Sequence, residues 1–143
     1  MINFTPTLKD DEPQILEWTK ADPYHFGDAD TSSPSWWITG SDCLVASCID
    51  DESGPVLYFR LDKEGDFVRM HVQFAPLDQV SKRRVMSSIS EAMPALQVLA
   101  QQEGCKGFVF QSQSPLLIRF MGHLGFKPRP NFEDDYLLLF EEK

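Results

Sequence analysis

The sequence predicts an α+β fold in which a mixed, mostly antiparallel, twisted sheet is flanked by helices. Three observations carry this reading. Apolar strand-like runs follow one another between residues 43 and 74, joined by turns, as in an antiparallel meander. A long amphipathic stretch comes next, from Leu77 to Gln102. The chain then reads strand, helix, strand from Gly107 to Phe140.

Each element has its own signal. Ile2 to Thr5 alternates as a strand does. Thr7 is placed to cap a helix whose first turn carries Asp10, Asp11 and Glu12, acids that suit the positive end of a helix dipole. Ile15, Leu16 and Trp18 form its apolar stripe, and it fades near Asp22 and Pro23. Residues 21 to 41 are turn-rich, with Tyr24, Phe26, Trp36 and Trp37 set among Pro, Gly and Ser. Those aromatics either cover the core or wall a ligand cleft.

The meander runs Cys43–Ile49, Val56–Leu61 and Phe67–Phe74, with turns at 51–55 and 62–66. Along the last strand, Val68, Met70, Val72 and Phe74 share one face. Phe67, Arg69, His71 and Gln73 share the other. In the long helix, Val85, Ile89, Ala92, Met93, Leu96 and Leu99 recur every three or four residues. Pro94 interrupts it, so a kink or break is expected there. Gly104 ends it. Gly107–Ser112 is a short strand, and Ser114 and Pro115 open a helix over Leu116–Leu124. Gly125 stops that helix, and Tyr136–Phe140 is the last strand.

At 143 residues the chain suits one domain spanning 1–143, with no repeat and no linker. A net charge of −9 speaks against a nucleic-acid partner, which needs a basic footprint. It leaves room for a cationic amine substrate. No apolar run approaches the ~20 residues that cross a bilayer. The N-terminus has no leader pattern, so the expectation is a cytoplasmic protein. Three cysteines, Cys43, Cys48 and Cys105, lack metal-type spacing and read as free thiols, with no metal site.

The order of elements resembles the GNAT superfamily of acyl-CoA N-acyltransferases. The best local piece is Gln111 to Phe126, where a strand leads into Ser114–Pro115, a helix and a Leu-Gly-Phe end. It is similar to the family's C-terminal motif, in which an Asn opens the helix; that position is Ser114 here. The family's Tyr, which protonates the leaving thiolate, falls on Met121, and a thioether donates no proton. The resemblance implies acetyl-CoA or another acyl-CoA as co-substrate, an amine of a small molecule or peptide as acceptor, and room for a homodimer.

The family's pyrophosphate motif, Gln/Arg-x-x-Gly-x-Gly/Ala, falls on residues 79–84. Gln79 matches its first position, while Lys82 and Arg84 stand on the glycines. Lys82, Arg83 and Arg84 either capture the phosphates with side chains or form a solvated basic turn. The resemblance further implies that backbone N–H groups of Val72, Gln73 and Phe74 polarise the thioester carbonyl. The candidate bases are His71, Glu64 and Asp66. His25 and His123 are weaker candidates. Loss of the glycines and the Tyr also leaves a second reading, a binding or structural protein that keeps the fold without the transferase.

Overall fold

In the computed structural model, which describes residues 2–23, 33–40 and 43–140, strands of alternating polarity pair into one sheet. The elements are β1 (Asn3–Pro6), α1 (Glu12–Lys20), β2 (Val45–Asp51), β3 (Gly54–Glu64) and β4 (Phe67–Phe74), then α2 (Lys82–Gln102), β5 (Gly107–Gln111), α3 (Pro115–His123), β6 (Lys127–Pro128) and β7 (Asp135–Leu139). The seven strands lie in the order β1-β2-β3-β4-β5-β7-β6. All neighbours are antiparallel except β4 and β5, which run parallel. A parallel pair needs a long crossover, and α2 supplies it. The observed class is the expected α+β fold.

The period-two pattern of β4 is realised. Val68, Met70 and Val72 are buried on the face where α2 lays down Val85, Ile89, Ala92, Leu96 and Ala100. On the opposite face α1 packs Ile15 and Trp18, with the Trp18 ring 5.2 Å from that of Tyr58. The Tyr58 hydroxyl donates to Asp11 Oδ1 (3.1 Å) and accepts from Gln14 Nε2 (2.7 Å), so the polar end of this buried ring is satisfied. Cys48 and Cys105 are buried free thiols, and burial raises both pKa values, with the Asp50 carboxylate adding to the effect at Cys48.

Several elements differ from expectation. Thr7 is fully buried and caps no helix. Its N–H instead donates to Ala46 O and its carbonyl accepts from Thr39 N–H. A short 3-10 turn, Lys9–Asp11, intervenes, and Asp11 Oδ2 accepts the Leu8 N–H at 2.8 Å. β3 runs on to Glu64, so Asp62 belongs to a strand and the turn is confined to Gly65 and Asp66. α2 starts at Lys82, capped by the Ser81 hydroxyl, which accepts the Arg84 N–H. It continues unbroken through Pro94. Pro94 and Ser90 both lie on its exposed side, where water can satisfy the Ser90 carbonyl that proline leaves without a donor. β6, only two residues long, has no sequence signal. Tyr24, His25 and Phe26 lie outside the described residues.

Candidate active site

Two strands that begin side by side and then part create the cleft. β4 pairs with β3 along its whole length, from Phe67↔Glu64 to Phe74↔Leu57. Its pairing with β5 stops after Phe67↔Gly107, Val68↔Phe108 and Arg69↔Val109. β5 meanwhile keeps its full pairing with β7, from Gly107↔Leu139 to Gln111↔Asp135. Each strand follows its antiparallel partner, and the right-handed twist between neighbours separates the two beyond Arg69 and Val109. α3 lies beside the gap, with Phe120 edge-on to Phe74 at 6.5 Å and with Leu117 and Met121 in the wall. The opening is about 630 Å³.

The splay exposes backbone on the β4 side. The Ala75 N–H donates to Val56 O on β3 (3.0 Å), and the Leu44 N–H donates to Leu61 O from the β2 side (2.8 Å). Strand alternation from these two anchors turns the N–H groups of Met70, Val72 and Phe74 away from β3, toward the gap. That of Gln73 faces β3. The Gln73 side chain is buried as well, donating to Phe74 O (3.0 Å) and Asp22 Oδ2 (3.2 Å).

Polar side chains line the face of the cleft that carries α1. His71 sits in the wall with its Nε2 3.4 Å from Asp62 Oδ2. The Trp36 ring stands edge-on to the imidazole, centroids 4.7 Å apart. Trp36 and Trp37 share a short 3-10 helix, Pro34–Trp37, and divide the two roles expected of them: Trp37 is fully buried in the core and Trp36 walls the cleft.

Arg69, two residues before His71, donates to Asp135 Oδ1 (2.8 Å) and Glu64 Oε2 (2.9 Å), and Arg129 donates to Asp135 Oδ2 (2.9 Å). Burial pushes the Asp135 carboxyl up, but the two guanidinium groups outweigh it and hold the pKa below the ordinary carboxylate value. Glu133 and Asp134 complete the acidic rim, and Asp134 Oδ2 accepts from Gln113 Nε2 (3.1 Å).

The candidates from sequence divide into groups. His71, Glu64 and Val72 line the cleft, together with Met121, which is almost fully buried. Asp66 sits in the β3–β4 turn, where its carbonyl accepts the Lys106 N–H (2.7 Å). Ser114 caps α3, its hydroxyl accepting the Leu117 N–H (3.3 Å). Gln79, Lys82, Arg83 and Arg84 are gathered at the start of α2 and do not line the cleft. Lys82 and Arg83 are exposed, and Gln79 reaches Glu17 Oε1 at 3.4 Å. Arg84 is held by Asp51, at the end of β2, through two bonds of 2.7 Å. His123 is exposed in the last turn of α3.

Asp62, Arg60, Arg69 and Asp135 are absent from the sequence-derived candidates. The alternation Tyr58, Arg60, Asp62 would have placed Arg60 and Asp62 on one polar face of β3, had that strand been extended past Leu61. Nothing local in the sequence pairs Arg69 with Asp135, 66 positions away.

No protein-family model and no curated protein matches the chain. Solved structures do. An aminoglycoside acetyltransferase in complex with coenzyme A superposes with a TM-score of 0.70 at 11% identity, covering 97% of this chain and 95% of that one. A GCN5-related N-acetyltransferase from Kribbella flavida gives 0.69 at 16% identity, covering 97% and 98%. A GNAT-family acetyltransferase from Brucella melitensis in complex with acetyl-CoA gives 0.61 at 13% identity, covering 99% and 90%. Likeness at such low identity speaks for architecture over nearly the whole chain, and on that ground the protein has the GNAT fold.

Proposed function

We propose that the protein is an N-acyltransferase that moves an acyl group from acetyl-CoA, or a related acyl-CoA, to an amine of a small molecule or peptide. The observation that carries this is the parting of β4 from β5, with the N–H groups of Val72 and Phe74 turned into the gap. Solved proteins of this fold hold acetyl-CoA or coenzyme A. In this reading the acyl thioester enters between the strands, and β4 N–H groups stabilise the oxyanion as charge develops on the carbonyl oxygen. His71 takes a proton from the acceptor ammonium. The neutral nitrogen attacks the carbonyl, a C–N bond forms, the C–S bond breaks and the coenzyme leaves as thiolate, while the nitrogen gives its second proton to solvent. Met121, at the donor position of the related motif, offers no proton, and in this reading the thiolate takes one from solvent. The sum is acyl thioester plus ammonium giving amide, thiol and one proton.

At the start of α2 the first N–H groups have no partner within the helix, and Lys82 and Arg83 stand beside them. They are the groups proposed to hold the diphosphate. Titration with acetyl-CoA in a calorimeter tests the reading. Binding that weakens about tenfold in a Lys82→Ala, Arg83→Ala double variant is the expected outcome. Absence of heat at about millimolar ligand would overturn it.

A second reading keeps the fold and drops the transfer. It is favoured by Lys82 and Arg84 standing at the glycine positions and by the Asp51 carboxylate already occupying Arg84. Binding of acetyl-CoA without acyl transfer to any primary amine would select it.

A further inference from the structure

We propose that Asp62 is a positioning residue for His71, and that Arg60 and Trp36 close the frame that holds the pair. The inference rests on the acyltransferase reading and adds what orients its base. Asp62 Oδ2 is 3.4 Å from His71 Nε2. Both oxygens of the same carboxylate accept from Arg60 Nε at 3.1 Å. Arg60, only 7% exposed, donates from Nη1 to the Trp36 carbonyl (2.7 Å) and lies 4.4 Å from the centroid of that ring. The Trp36 ring closes the circuit against His71. Four residues thus form a ring of contacts whose fourth member faces the cleft.

Register explains why the ring forms. Arg60 lies directly opposite His71 across the β3–β4 ladder, and Asp62 lies opposite Arg69. Asp62 therefore reaches His71 on the diagonal, within the range of cross-strand neighbours on one face. A buried guanidinium needs a counter-charge, and Asp62 supplies it. The carboxylate thereby becomes an immobile acceptor that the imidazole can use.

At 3.4 Å the pair is an electrostatic contact, longer than an ordinary hydrogen bond; the carboxylate beside Nε2 favours the proton on that nitrogen, which leaves the lone pair on Nδ1. An imidazole locked in one tautomer by a carboxylate is a better-oriented base than a freely rotating one, because orientation in the ground state lowers the entropy cost of the step. The charged groups around His71 among the described residues are Asp62 and Arg60 from β3 and Arg69 from β4. Glu64 and Asp135 lie one contact further, each bound to Arg69.

The test has two arms, one independent of turnover. Imidazole carbon and nitrogen shifts of His71, assigned by comparison with His71→Gln, are followed against pH in the intact protein. In Asp62→Asn the His71 midpoint falls by about one pH unit and the preference for one tautomer is lost. An unchanged midpoint and tautomer overturn the proposal. The second arm measures thiol release from acetyl-CoA with n-butylamine as acceptor. Asp62→Asn lowers kcat about tenfold or more with KM for acetyl-CoA unchanged, while Asp62→Glu recovers part of it. Equal losses in both variants, or a change confined to KM, also overturn it. If no thiol is released by the unmodified protein, the transferase reading fails and the magnetic-resonance arm alone decides whether Asp62 holds His71.

Discussion

Arg84 Nε and Nη2 each lie 2.7 Å from a different oxygen of Asp51, a two-point fork between the first turn of α2 and the end of β2. Hydrogen bonds from Arg84 hold the Asp51 carboxyl below its ordinary value, and Asp51 in turn raises Arg84. The fork offsets the cost of a cation near the positive end of the helix dipole. It also places a fixed negative charge beside the groups proposed to meet a diphosphate.

Asp51→Asn should therefore tighten acetyl-CoA binding by about fivefold, as one competing charge disappears and Arg84 is released. The pair is partly exposed, so the accompanying loss of stability should stay within about 1 kcal/mol. Calorimetry at low salt checks the first figure and urea unfolding the second. Unchanged affinity would show that Arg84 serves only to fasten β2 to α2.

The Arg69–Asp135–Arg129 cluster should carry more of the stability than the surface fork. Asp135 is 5% exposed and both guanidinium groups are largely covered. Asp135→Ala leaves two cations without their shared partner and should cost about 3 kcal/mol in urea unfolding. The pH dependence has a definite sign. The folded pKa lies below the ordinary value of 3.8, so the contribution is complete above that value. It is lost as pH falls through the folded pKa. Stability of the unmodified protein should fall below about pH 4, and that of the variant should fall less steeply there.

Gly107 opens β5 with no room for a side chain. A Cβ there would collide with the backbone oxygen of Leu138, on the strand that pairs with β5. Backbone cannot yield as a flexible side chain does, so Gly107→Ala should displace β7 and destabilise the protein by about 2 kcal/mol or more. Thermal melting, with Gly122→Ala as a control in open space, distinguishes this clash from a general effect of replacing glycine.

Met121 stands where the related motif has a proton donor. A thioether contributes no proton to the leaving thiolate. Met121→Leu conserves volume and should change kcat for thiol release by less than about threefold, with a stability cost under about 1.5 kcal/mol. A tenfold loss of kcat would mean that this position does more than pack.

Much of the framework was legible in the chain. The face assignment of β4 follows from Val68, Met70 and Val72 alternating with Arg69 and His71, because strand geometry sends neighbours to opposite sides. The α2 stripe and the Ser114 cap are equally local. Thr7 misled because hydroxyl residues suit both helix caps and buried strand ends, and only its bonds to Ala46 and Thr39 separate the two. Pro94 misled because the cost of a proline depends on whether water can reach the carbonyl four residues earlier.

The sequence by itself determined which residues alternate, where α3 starts and where α2 stops, and that His71 shares a polar face with Arg69. The tertiary structure decided the cleft and its contents. Whether β4 and β5 part depends on competing pairings with β3 and β7. Whether Arg84 is available depends on Asp51, 33 positions away. The frame around His71 needs Trp36, brought from another segment by its contact with Arg60. Periodicity is written in neighbours along the chain, but charge pairing and strand separation arise between segments that meet only on folding.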